Sequence, residues 1–113
     1  MVFINDSKED TKINFNQTSA QIVNLVRGLN PNPVAYFEVD GASFKVFLAK
    51  SITYNGTEKN GTILKADGKN GLVIKTIDGA VEIVELTAPN SKRMLSKSYL
   101  NGKKMPVGSI CNG

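Results

Sequence analysis

The chain has no histidine, no tryptophan and a single cysteine. Without imidazole it can run neither a Ser–His nor a Cys–His mechanism, and it cannot hold zinc through histidine. One cysteine closes no internal disulfide and builds no thiolate metal site. Cys111, close to the end of the sequence, is expected to be mobile and inert. No apolar run approaches the roughly 20 residues that a membrane helix needs, so no membrane partner is expected. Met1 to Asp10 show no basic stretch followed by a long apolar one. A secretory signal is therefore not expected, and the location implied is cytoplasmic. Acidic residues are missing from everything beyond Glu85.

What is present fits one domain of 113 residues, 41% hydrophobic and 21% charged. The net charge of +4 is unevenly placed. Residues 1–85 hold nine basic and all ten acidic residues, whereas residues 86–113 hold Lys92, Arg93, Lys97, Lys103 and Lys104 against no acid. Such a one-sign segment is either a solubilising surface or a footprint for a polyanion such as nucleic acid.

Residues 1–12 are mostly polar without an apolar period and are expected to form a linker or arm; residues 13–113 form the domain. Thr18 and Gln21 match a Thr-x-x-Gln capping box, which predicts a helix over residues 18–28. Ile22, Leu25, Val26 and Leu29 follow the stripe of one buried face, with Gly28 placed to end the helix in a left-handed conformation. Asn30-Pro31-Asn32-Pro33 then stops it.

Short strands follow over 35–39, 44–52, 62–66, 72–77 and 80–87. Asp40-Gly41, Asp67 to Asn70 and Asp78-Gly79 are the turns between them. Phe44, Val46 and Leu48 are expected to share one face. Ser96 is placed to cap a short helix over 97–101, stopped by Gly102, and residues 107–110 read as a last strand or a tail. Several strands are apolar on both faces. The fold class expected is therefore mainly β: a small five- to six-stranded OB-like barrel, with one N-terminal helix and a short C-terminal helix. An open sheet with the helix on one face is the rival.

No catalytic and no metal-ligating residue emerges. Asp78, Glu82 and Glu85 are close in sequence, but alternation with Val81 and Ile83 points Glu82 to solvent. Asn55-Gly56-Thr57 and Asn60-Gly61-Thr62 read as turns, as does Gly68-Lys69-Asn70-Gly71, which lacks the following helix that a phosphate loop needs. The positive signal is the basic set. Lys92, Arg93, Lys97, Lys103 and Lys104 are the leading candidates for phosphate contacts, and Lys45 and Lys75 project from strands as weaker ones. Phe15, Phe37, Phe44 and Phe47 are expected in the core, leaving Tyr36, Tyr54 and Tyr99 for stacking. That scarcity favours backbone contact to a folded or double-stranded nucleic acid over base readout.

The order of these segments resembles the C-terminal domain of methionyl-tRNA formyltransferases. The likeness starts at Ile13-Asn14-Phe15 and is sharpest over residues 22–37, Ile-Val-Asn-Leu-Val-Arg-Gly-Leu-Asn-Pro-Asn-Pro-Val-Ala-Tyr-Phe. It continues through Gly61-Thr62-Ile63-Leu64, Gly71-Leu72-Val73-Ile74, Asp78-Gly79 and Glu82 to Leu86. It closes with Lys92-Arg93-Met94 and a segment ending at Gly102. Asn32 stands where the family usually has Trp, Val34 where it has Gly, and Asn14 where it has an acid. Arg27 matches a family arginine in position and serves either to pin the fold or to touch RNA.

The resemblance implies an OB-like module whose basic surface binds initiator methionyl-tRNA. Catalysis would belong to an N-terminal Rossmann-like domain that uses 10-formyltetrahydrofolate, with no cofactor in this domain. It implies a monomer that participates in translation initiation. Two other readings stay open: a structural domain of a sugar-nucleotide or other formyltransferase, and a stand-alone OB-type nucleic-acid-binding module.

Overall fold

The computed structural model describes residues 11–29 and 34–112. The arm over residues 1–10, the Asn30 to Pro33 turn and the Leu29 side chain lie outside the described residues. The elements are α1 (Ser19–Leu29), β1 (Ala35–Val39), β2 (Ala42–Ile52), β3 (Ile63–Asp67), β4 (Gly71–Lys75), β5 (Ala80–Thr87), β6 (Met94–Leu95) and α2 (Ser96–Gly102).

The capping box forms as expected. The Thr18 N–H donates to Gln21 Oε1 at 2.9 Å and the Gln21 N–H donates to Thr18 Oγ1 at 3.1 Å. Ile22 and Val26 are buried, and α1 lies along β2. A second cap comes from far away. Asp78, in the turn between β4 and β5, accepts from the Ser19 N–H at 2.9 Å. Gly28 stays inside the helix rather than ending it in a left-handed conformation.

The six strands form one antiparallel sheet in the order β1-β2-β5-β4-β3, and β6 pairs with β5. The sheet is mainly β with the two expected helices, and its ladder is not closed. Its two edges are instead spanned by the segment over residues 108–112. The Gly108 N–H donates to Ile63 O, the Ile63 N–H to Ser109 O and the Cys111 N–H to Gly61 O, which covers the β3 edge. Asn112, at φ 61°, then reaches β1. Its N–H donates to Glu38 O, its Oδ1 accepts from the Glu38 N–H at 2.8 Å, and its Nδ2 donates to Ile13 O at 2.6 Å. Cys111 is consequently buried rather than mobile. Burial pushes its thiol up to about 12.

β2 carries the irregularity that matters most. Val46 pairs with Leu86 and Leu48 with Glu85, so Phe47 is an extra residue in the ladder. A bulge shifts the alternation by one. Phe44 and Val46 are buried, but Leu48 is 49% exposed instead of sharing their face. The core holds an aromatic chain: Phe15 on Phe37 (6.1 Å), Phe37 on Phe44 (5.5 Å) and Phe44 on Tyr99 (5.9 Å). Tyr99 is half-buried and docks α2 against Phe44.

Candidate nucleic-acid interface

Lys45 stands exposed on β2, with Tyr36 and Thr87 as its cross-strand partners. Lys50, past the bulge, is exposed on the same strand and reaches Glu82 at 3.6 Å. Alternation extended from Phe44 and Val46 turns Lys50 inward, which is why sequence reasoning omits it; the bulge turns it out. Glu82 is the reverse case. It is buried, against the expectation of solvent exposure. Its Oε2 lies against Gly71, and Lys97 Cε approaches the same glycine. The first turn of α2 therefore sits over the face of β4 and β5 that alternation assigns to water.

Lys92 and Arg93 occupy the loop before β6, and Lys97, Lys103 and Lys104 are exposed in and just after α2. Ser96 does not cap α2. It is the first helical residue, Leu95 is the N-cap without a side-chain bond, and Ser96 Oγ is buried without a hydrogen-bond partner. The reason is packing: α2 docks Leu100 and Ser96 inward.

Arg93 is held on two sides. Its Nε and Nη2 donate to Glu85 Oε1 at 2.9 and 2.6 Å. Its guanidinium carbon lies 4.4 Å from the Phe47 ring centroid, a cation–π contact that holds Phe47 only half-buried. Arg27 is exposed in the last turn of α1 and lines a small cavity of about 140 Å³ with Val23, Val26, Phe47, Leu48 and Ala49.

Lys75 is the candidate of this set that lies buried. It is 7% exposed, and its ammonium donates to Thr76 O at 2.5 Å with Asn60 Oδ1 at 3.5 Å. A phosphate would have to displace those acceptors, so Lys75 supports the fold beneath the residue 53–61 loop. The exposed cations include Lys45 and Lys50 on β2, Arg93 tied to Glu85 of β5, and Lys97 on α2. Lys92 lies beside Arg93 in the chain, and Lys103 and Lys104 lie at the far end of α2.

This fold and charge distribution can be compared with known proteins. Residues 6–104 match the model of the formyl transferase, C-terminal domain. The chain belongs to that family. Among curated relatives, a methionyl-tRNA formyltransferase of Lactobacillus johnsonii is 40% identical over 100 residues, covering 88% of this chain and 31% of that protein. One of Mycoplasma mycoides subsp. mycoides is 38% identical over 102 residues, covering 88% of this chain and 32% of that protein. The chain thus spans about a third of the length of the curated relatives it matches.

A solved structure under another name has a part of similar shape. The crystal structure of HypX from Aquifex aeolicus in complex with tetrahydrofolic acid matches at 25% identity with a TM-score of 0.64, over 82% of this chain and 17% of that one. The resemblance read in the sequence is therefore shown at the level of the domain family.

Proposed function

We propose that this chain is the tRNA-holding domain of a methionyl-tRNA formyltransferase. Its lysines contact phosphates of initiator methionyl-tRNA and present the acceptor arm to a separate, Rossmann-like catalytic domain. That domain transfers the formyl group from 10-formyltetrahydrofolate to the methionine amino group. On this reading the present domain supplies neither cofactor site nor catalytic residue, and acts in the cytoplasm as a monomer during translation initiation.

The observation that supports this most is the exposed cationic set. Lys92, Lys97, Lys103 and Lys104 come from the acid-free last quarter, and Lys45 and Lys50 join them from β2. Each lysine that neutralises a phosphate releases a counterion, so affinity for tRNA falls linearly with salt on a logarithmic scale. Titrating the 113-residue chain with tRNA across a salt series should give a slope of about four to five if most of these lysines engage. Salt-independent affinity defeats the reading.

The HypX likeness favours a second reading, in which the domain packs against a catalytic partner and shapes a small-molecule site. That reading expects no tRNA binding even at low salt. Preference for oligo-dT over tRNA would instead support a stand-alone single-strand-binding module.

A further inference from the structure

Arg93 is the exposed cation whose guanidinium is most engaged within the domain. A guanidinium binds phosphate through the edge that carries its N–H groups. Here Nε and Nη2 are both engaged by Glu85 Oε1. One flat side of the group lies over Phe47. The Arg93 side chain is nevertheless 51% exposed, so half of it remains available to a ligand.

The neighbours of this plane are apolar. Leu48 of β2 and Leu95 of β6 are the two cross-strand partners of Glu85. Directly opposed residues in antiparallel strands stand on one face. Leu48, with a register shift on either side, and Leu95 are thus the ladder partners of the residue that holds Arg93, and each is 49% exposed. Two half-exposed leucines beside a fixed plane form a contact surface rather than scattered surface hydrophobes. Its rim is cationic. Lys45 and Lys50 stand on β2 and Lys97 on α2, while the two acids, Glu82 and Glu85, are engaged by Lys50 and Arg93.

We propose that Arg93 is a stacking platform for an unpaired base of the bound RNA. Leu48 and Leu95 contact the edges of that base, and Lys45, Lys50 and Lys97 hold the flanking phosphates. Bases in single-stranded RNA stack on guanidinium planes as they do on aromatic rings. The cationic rim selects a polyanion over a protein partner. The inference rests on the tRNA-holding reading and adds to it a contact with bases, which the scarcity of free aromatics argues against.

The test compares two RNA hairpins on the full 113-residue chain at low salt, one blunt and one with a four-nucleotide 3′ overhang. The chain should prefer the overhang by about tenfold. Arg93→Lys keeps the charge and loses the plane. It should abolish that preference. Leu95→Ser, at an exposed position, should reduce the preference without loss of folding, which keeps the test decisive if Arg93→Lys fails to fold. Retention of the preference in both variants, or no preference in the unaltered chain, overturns the platform while blunt-hairpin binding keeps the tRNA reading. Failure of both hairpins to bind overturns both readings.

Discussion

The Asp78 carboxylate accepts a hydrogen bond from the Ser19 backbone N–H at 2.9 Å, across 59 residues of sequence. A turn between two strands thus caps the first helix. Ser19 Oγ and Thr76 Oγ1 approach the same oxygen at 3.4 and 3.3 Å. These donors, the Ser19 N–H first, hold the Asp78 carboxyl below the usual aspartate range.

Asp78→Ala should therefore detach the helix start from the sheet. Losing a helix N-cap contact of this kind lowers the thermal midpoint of a domain this size by about 5 °C. Circular dichroism melting measures it. An unchanged midpoint would show that the Thr18–Gln21 box caps the helix alone.

The same contact carries a pH dependence. A depressed carboxyl stabilises the fold above its unfolded pKa and loses that contribution as pH falls through its folded value. Asp67 is lowered chiefly by the Asn70 N–H, and Glu58 chiefly by the Tyr54 hydroxyl, so both add in the same direction. The urea midpoint should be flat above about pH 5 and fall below about pH 4. Asp78→Asn should make that fall shallower.

Cys111 gives the opposite sign. Its thiol is raised to about 12 by burial. Its contribution is full below the unfolded thiol pKa, near 8.5, and is lost as pH rises toward the folded value. In the native chain, reaction with a thiol reagent at pH 8 should be at least about a hundredfold slower than in urea. Equal rates would mean that the tail over residues 108–112 does not stay docked.

Lysine substitutions separate surface from core. Lys92→Ala, Lys97→Ala and Lys103→Ala should each reduce the salt slope of tRNA binding by about one and leave the melting midpoint nearly unchanged. Lys75→Ala should do the reverse, because its ammonium lies under the residue 53–61 loop and bonds Thr76 O. A reduced slope for Lys75→Ala would place that lysine on the tRNA.

How much of this was legible in the sequence depends on whether neighbours in the chain or in space decided it. The Thr18–Gln21 box, the Asp78-Gly79 hairpin and the apolar β4 and β5 were legible, since local chemistry dictates them. The orientation of Leu48 and Lys50 was not. A bulge at Phe47 costs one residue of alternation, and nothing in the composition of Phe44 to Lys50 announces it. Glu82 was misassigned because α2, 14 or more residues later, covers its face. Arg93 was legible as a cation, but its fixation needs both Glu85 and Phe47. Cys111 was misread because only the fold reveals that its segment closes on β3 and β1.

Asn112 bonds Ile13 O and both backbone groups of Glu38. Entry and exit of the chain consequently lie side by side on the margin of β1. A module with that geometry can be spliced between two other segments of a polypeptide without straining either flank, and the two flanks emerge as neighbours. Residues 11 to 13 and residue 112 therefore share one corner of the domain, on the margin of β1.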